Sequence, residues 1–423
     1  MSGNDTTSRS RRAFLKTSGA LAVGAAVAPW ASRMHVGGSG EIKVGLIGCG
    51  GRGTGAARNC VASSEGVRIV AMGDLFADRL ASSKRNLSSL GEAFDVTPDR
   101  EFVGFDAYEK VMATDVDVVI LATPPGFRPL MVEAAVAHGK NVFMEKPVAV
   151  DPVGIRRVLA ASEVAAKKGL AIVAGTQRRH ELNYLEVMRR IHDGAIGEVV
   201  AGQCYWNQGF LWVHSRKPEY SDMEWQIRNW LYFTWASGDH ICEQHIHNID
   251  VMNWALGGPP VRAMGMGGRQ VRTAPVCGHI FDHFAVEFEY PNGAIVQSMC
   301  RQIDGTKGRV GEHLVGTKGQ ANPGRWIKGA KDFRFRGKRR DPYVQEHADL
   351  IASIRSGNPL NEGRRVAEST LTAIMGRMSA YTGKEITWDF ALNESKLDLS
   401  PSRHEFGPLP TPKVAMPGKT PLV

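Results

Sequence analysis

Residues 41–53, EIKVGLIGCGGRG, decide how the first half of this chain folds. Ile42 to Ile47 is a short, mostly apolar run closed by Gly48, the signature of a strand buried on both faces. The six residues Gly48-Cys49-Gly50-Gly51-Arg52-Gly53 then match G-x-G-x-x-G where a helix is expected to open. Glycines at these places permit a tight turn and let a pyrophosphate approach backbone N–H groups at the helix N-terminus. The pattern alone is weak. Its setting between strand and helix is what favours a dinucleotide site over a plain glycine-rich turn.

Working outward, four more apolar runs follow: VRIVAMGD (67–74), VDVVILATP (116–124), NVFMEKP (141–147) and LAIVAGT (170–176). Helical patterns such as RPLMVEAAVAHG (128–139) and DPVGIRRVLAASEVAAKKG (151–169) separate them. Strands alternating with helices predict an α/β fold, a doubly wound parallel sheet over residues 41–175. Asp74 ends the second strand, where a carboxylate accepts bonds from adenosine ribose hydroxyls and repels a 2′-phosphate. NAD is therefore favoured over NADP.

The texture changes after residue 175. EVVAGQCYW (198–206), VRAMGMGGRQ (261–270) and FDHFAVEFEYPNGAIVQSMCRQ (281–302) predict neighbouring strands of one open, mostly antiparallel sheet. The last is a long hairpin turning at Pro291-Asn292-Gly293, with Phe284, Val286, Phe288 and Tyr290 on one face. Helices are expected over 345–357 and 364–383. The second domain, 176–390, is thus α+β, and residues 391–423 form a proline-rich, extended tail.

At 423 residues, 43% hydrophobic and 22% charged, the chain has the composition of a globular protein with two ordinary cores. Of its formal charge of +9, residues 1–33 carry five basic side chains and one acid, or +4. The remainder does not call for nucleic acid. Ser10-Arg11-Arg12-Ala13-Phe14-Leu15-Lys16 and the mildly apolar run after it read as a twin-arginine signal, so the export machinery is an expected partner and the location is periplasmic or otherwise exported. Pro29 after Ala26-Val27-Ala28 is a poor residue to follow a cut, which leaves cleavage or retention as an anchor open. The six cysteines show no C-x-x-C or zinc spacing. The twin-arginine route carries proteins folded in a reducing compartment, so free, buried thiols are expected.

Two stretches carry chemistry. Glu145-Lys146-Pro147 ends a strand on the carboxyl edge of the sheet, where doubly wound folds bind ligands. A partly buried lysine there is expected to have its pKa lowered toward proton-relay range. DHICEQHIHNID (239–250) places Glu243, His247 and Asp250 at i, i+4 and i+7, one face of a helix, with His240 near it and His245 elsewhere. Zinc could use His240, Glu243 and His247, but the spacing is not H-E-x-x-H and hydride chemistry needs no metal, so none is expected. His240 and His245 fit a structural role.

Taken together, GLIGCGGRG (45–53), ATPP (122–125), MEKPVAVD (144–151), GTQRRH (175–180) and HIHNID (245–250) resemble the Gfo/Idh/MocA family, named for glucose-fructose oxidoreductase, inositol dehydrogenase and MocA. The resemblance spans roughly residues 41–389. It implies an N-terminal Rossmann domain, a C-terminal domain with an open sheet, and NAD(P)-dependent oxidation of sugars. It implies Lys146 and His247 as the proton-handling pair, with Glu243 and Asp250 orienting the imidazole and gripping sugar hydroxyls. The cofactor set is Gly48, Gly50, Gly51, Arg52, Gly53, Asp74, Thr123, Pro124, Arg128, Glu145 and Gln177. Two departures stand out. Glu243 replaces the usual aspartate, and ATPPGFRP lacks the Asn or His common after the proline, a space that Arg128 fills in part.

The expected function is that of an exported oxidoreductase moving hydride between a sugar, glycoside or polyol hydroxyl carbon and a tightly bound NAD. Free NAD is scarce outside the cytoplasm, so an exported enzyme has to carry its cofactor with it. The alternative is a glycoside hydrolase using NAD for transient oxidation, elimination, water addition and re-reduction; a sugar sensor fits the intact lysine, histidine and glycine loop less well. Tyr205, Trp206, Trp230 and Trp235 are candidate sugar platforms. The basic run 328–340 reads as a solvated loop or subunit contact, and the open sheet points to a homo-oligomer.

Overall fold

Six parallel strands build the first sheet: β1 (Ile42–Ile47), β2 (Val67–Asp74), β3 (Glu101–Val103), β4 (Val118–Leu121), β5 (Asn141–Met144) and β6 (Ile172–Ala174). The computed structural model describes residues 40–423; the twin-arginine segment lies outside the described residues. Strand order is β3-β2-β1-β4-β5-β6, so the order reverses between β1 and β4, where such sheets open a crevice for ligands. Five strands match the apolar runs of the sequence. The sixth, β3, is three residues long and too short to show a pattern.

Helices α1 (Gly51–Ser63), α2 (Ala77–Leu87), α3 (Ala107–Met112), α4 (Arg128–Ala137) and α5 (Pro152–Lys168) connect these strands. The ends of α5 follow from its sequence. Asp151 accepts from Gly154 N at 2.6 Å, Pro152 occupies the first turn where no N–H partner is needed, and Gly169 leaves the helix at φ +67°.

The second half contains α6 (Leu182–His192), β7 (Val199–Gln208), α7 (Asp222–Arg228), α8 (Thr234–Ser237), α9 (His240–Glu243) and α10 (Ile246–Leu256). Strands β8 (Arg262–Gly268), β9 (His283–Glu289), β10 (Ile295–Gln302), β11 (Arg309–Gly316), β12 (Gly319–Asn322), β13 (Trp326–Lys328) and β14 (Phe333–Arg334) follow. Helices α11 (Pro342–Arg355) and α12 (Gly363–Thr382) and strand β15 (Ile386–Thr387) complete it. The sheet order is β14-β13-β12-β11-β7-β10-β9-β8-β15.

The β9–β10 hairpin turns at Gly293, φ +81°, and buries Phe284, Val286, Phe288 and Tyr290 as one face. The sheet is mixed: β10 runs parallel to β7, while the other pairings are antiparallel. A long connection, not a hairpin, joins β7 to β10, so nothing local dictates their relative direction.

Helix α11 follows the second sheet in sequence but packs on the first. Leu350 and Ile351 are buried in one cluster with Val44, Leu46, Ile69 and Phe143. The segment after it is stitched to β6 by Glu362 N to Ile172 O (2.8 Å) and Ala174 N to Glu362 Oε2 (3.0 Å). The first core therefore uses residues far beyond 175.

The tail after Glu394 has no helix or strand and is pinned to both halves. Leu399 N donates to Asp151 Oδ2 (2.9 Å), while Met223 N reaches Gly407 O (3.1 Å) and Leu409 N reaches Asp222 Oδ2 (3.0 Å). All six cysteines are buried and free. Their thiols are inert packing groups; burial alone raises Cys60 to about 12.

Candidate active site

The glycine loop lies where β1 meets α1. Gly48, at φ +95°, passes so close to β4 that an added Cβ would sit 2.6 Å from the Ala122 carbonyl carbon. A Cβ on Gly53 would meet Gly48 O at 1.8 Å. Around Gly50 and Gly51, by contrast, a Cβ would meet nothing within 4 Å. Two glycines thus close the turn and two leave open space at the helix N-terminus. That space suits a pyrophosphate.

The loop opens on a cleft of about 520 Å³ lined by Gly48, Gly50, Gly51, Asp74, Thr123 and Pro124. Asp74 accepts from Cys49 N (2.6 Å) and Phe76 N (2.8 Å), so the carboxylate holds the glycine loop and keeps lone pairs free toward the cleft. Burial pushes its pKa up, and the two N–H donors oppose that. The cleft has an open glycine cradle and an acid at the end of β2, features that suit a nicotinamide dinucleotide.

Beyond the switch point the cleft continues into a smaller cavity of about 310 Å³, sharing Arg52, Ala122, Thr123 and Trp230 with it. Lys146, Glu243 and His247 all line this cavity, with Glu145 and Gln177. Lys146 Nζ donates to Glu243 Oε1 at 2.8 Å, with both side chains about 13–14% exposed. His247 is buried, its Nδ1 unpartnered, and Trp206 stacks on the imidazole with ring centres 5.7 Å apart. Burial first, then the positive charges of Lys146, Arg178 and Arg52, holds His247 well below the ordinary histidine range. A neutral imidazole beside an ammonium–carboxylate pair can take a proton from a hydroxyl while the ammonium steadies the oxygen.

Several expected roles change. Asp250 does not reach His247: Arg179 grips its carboxylate with two bonds of 2.8 Å and Ser369 Oγ adds a third at 2.8 Å. The expected helix is broken after Glu243, which parts Glu243 from His247 and Asp250 on α10, and Asp250, 1% exposed, is held in the core by Arg179 and Ser369 instead of lining the cavity. Glu243 orients Lys146, not the imidazole. Arg128 does line the cavity, but it is 1% exposed and donates to the carbonyls of Leu121, Thr123 and Glu145, stapling the ends of β4 and β5. Arg52 pairs with Glu145 at 2.5 Å and lies over Tyr343.

His240 packs edge-on against Phe284, and His245 is bonded to Ser298 Oγ at 2.7 Å. Among the described residues, no three His, Cys, Asp or Glu side chains are grouped to hold a metal. Of the candidate sugar platforms, Trp206 and Trp230 face the cavity. Tyr205 instead bonds Gln203, and Trp235 packs on Phe127. Tyr343 and Gln244 complete the cavity, while Trp212, His214, Arg228 and His404 roof the cleft. Gln244 sits within the 239–250 stretch, where the acids and histidines drew the reading; the other five carried no motif, because they arrive from other segments.

Residues 42–175 match the family described as "Oxidoreductase family, NAD-binding Rossmann fold", and residues 184–322 match "GFO/IDH/MocA C-terminal domain". Inositol 2-dehydrogenase of Burkholderia cenocepacia is 31% identical over 255 residues, 60% of this chain and 65% of that relative. The match thus spans just under two thirds of that relative. Aldose-aldose oxidoreductase of Caulobacter crescentus, solved with glycerol, is 17% identical with a TM-score of 0.64 over 82% of this chain and 99% of its own. Levoglucosan dehydrogenase, solved with NADH and levoglucosan, gives 17% identity and a TM-score of 0.63 over 82% and 99%. At such identities the two structures speak for the fold.

Proposed function

Because this chain belongs to the Gfo/Idh/MocA family of NAD-binding Rossmann oxidoreductases, we propose that it transfers hydride between a hydroxyl-bearing carbon of a sugar or polyol and NAD. The observation that carries this reading is the placement of Lys146, Glu243 and His247 around one cavity that opens into the glycine-lined cleft. When bound, the nicotinamide supplies a two-electron hydride acceptor. His247, neutral, takes the hydroxyl proton on a ring nitrogen. Lys146, held by Glu243, donates a hydrogen bond to the same oxygen as the carbonyl forms. Trp206 and Trp230 give the apolar face of a sugar ring a surface to lie on.

The cofactor is retained between turnovers in this reading. Support comes from the tail, which crosses the cleft between its anchors at Leu399 and Leu409. On that crossing, His404 packs on Phe127 (ring centres 5.2 Å apart) and Phe406 on Phe105 (5.1 Å) and Phe76 (6.0 Å). Export rests on the twin-arginine motif, and retention is what export demands. Self-association rests on the outer face of the second sheet, where Met266 and Met299 flank Ala285 in register, 73% and 41% exposed.

The test is to purify the protein without added nucleotide and follow reduced-nicotinamide absorbance while presenting sugars, polyols and chromogenic glycosides. Lasting reduction, reversed by a keto sugar, is the expected result. Aglycone release without net reduction would replace the reading with transient-oxidation hydrolysis, and a cofactor-free folded protein would refute retention.

A further inference from the structure

A second cavity, of about 390 Å³, adjoins the first and plays no part in the steps above. Its wall is basic, with Arg178, Arg309, Arg325 and Arg339 against Glu181 and Glu312. Glu312 is already satisfied: its carboxylate is paired with Arg178 and accepts from Asn248 Nδ2 (2.5 Å) and Tyr184 OH (3.1 Å). That contact also consumes the charge of Arg178. Among the described residues, Arg309, Arg325 and Arg339 have no carboxylate partner; Arg309 lies over the Tyr205 ring at 3.6 Å. Guanidinium groups that outnumber the carboxylates at one concavity repel one another, and their planar forks match carboxylate, sulfate or phosphate oxygens in pairs.

The two cavities are close neighbours. Gln177 lines the catalytic one and the next residue, Arg178, lines the second. Trp206, which lines the catalytic cavity, has its ring 5.7 Å from that of His247 and 5.9 Å from the Arg178 guanidinium of the second. Asn248, next to His247, supplies one of the bonds that fix Glu312 in the wall of the second cavity. Arg339 belongs to the basic run 328–340, which the hydride chemistry leaves without a role.

We propose that this cavity is a subsite for the anionic group of an acidic saccharide whose neighbouring ring lies against Trp206 with its reacting hydroxyl at His247. The inference rests on the sugar oxidoreductase reading and names its substrate class: a saccharide carrying a carboxylate, or a sulfate or phosphate ester, one ring away from the carbon oxidised. Net charge at the wall, four arginines against two glutamates, favours such a group over a neutral one.

The experiment uses the cofactor-loaded protein and an R325Q/R339Q double variant, both substitutions at exposed positions. Calorimetry measures binding of a uronate disaccharide, a sulfated disaccharide, a phosphorylated one, a neutral one and inorganic sulfate, and cofactor absorbance follows reduction by each saccharide. The expected result is an acidic disaccharide bound about 10- to 100-fold more tightly than the neutral one, with that preference falling about tenfold or more in the double variant. The ranking of uronate, sulfate ester and phosphate ester identifies the anion. Equal binding of acidic and neutral disaccharides, or a preference untouched by the double variant, overturns the subsite. Inorganic sulfate binding as tightly as the acidic saccharides, an adventitious ion only, overturns it too. An acidic preference in calorimetry with no saccharide reducing the cofactor refutes the hydride reading and leaves the subsite standing. Reduction by neutral saccharides with no acidic preference does the reverse.

Discussion

Lys146 and Glu243 meet across the cleft at 2.8 Å, tying the carboxyl edge of the first sheet to α9 in the second half of the chain. Both side chains are largely sheltered, so water and salt screen the pair less than they screen a surface contact. The consequence is positional: the ammonium is held at one point of the cavity, facing the imidazole of His247.

Replacing Glu243 by Gln removes the charge that fixes Lys146 and keeps the shape. The expected effect is a fall in kcat of about 10- to 100-fold with a smaller change in KM, and Glu243→Asp restores part of it. Single-turnover reduction of the bound cofactor reads this directly. An unchanged kcat in Glu243→Gln would mean that the carboxylate is dispensable and that the bond from Lys146 Nζ to the Glu243 backbone carbonyl is anchor enough.

His247 is held neutral by burial and by nearby cations, with a pKa far below the ordinary histidine value. Its basic form is therefore populated throughout neutral and mildly acidic pH, and the rate of cofactor reduction should show no break near 6.5. His247→Asn should lower kcat by roughly 10²- to 10⁴-fold, the usual worth of a positioned base. A rate that halves near pH 6.5 in the unmodified protein would contradict the burial argument.

Asp74 should set cofactor choice. Asp74→Asn keeps one acceptor for the backbone of Cys49 or Phe76 but removes the negative charge beside the ribose. The ratio of NAD to NADP affinity should drop by about tenfold or more, measured by fluorescence titration of protein stripped of nucleotide. If the ratio stays fixed, Arg79, which also lines this end of the cleft, governs the choice.

His180 fastens α11 to the rest of the first core. Burial disfavours its charge, but Asp349 Oδ2 at 2.6 Å and Glu362 Oε1 at 3.3 Å raise its pKa to about 9. A folded value above the unfolded 6.5 means the contribution is complete below pH 6.5 and is lost as pH rises through about 9. Urea melts should show stability falling on the order of 2 kcal/mol across that window, and His180→Gln should flatten the fall. Equal slopes in both proteins would show that the pair carries no linkage.

What the sequence determined by itself lies within single short segments. The turn at Gly48 to Gly53, the acid at Asp74, the strand-end lysine and the burial of Phe284, Val286, Phe288 and Tyr290 all follow from residue type at fixed spacing, where covalent geometry leaves few choices. Only the tertiary structure decided who meets whom. Lys146 finds Glu243 at a separation of 97 positions, and Arg179 takes Asp250 away from His247 across 71. The return of α11 to the first core, the parallel pairing of β7 with β10 and the crossing of the tail over the cofactor cleft are of the same kind. Each depends on competition among distant partners for one buried space, and no local pattern encodes the outcome of that competition.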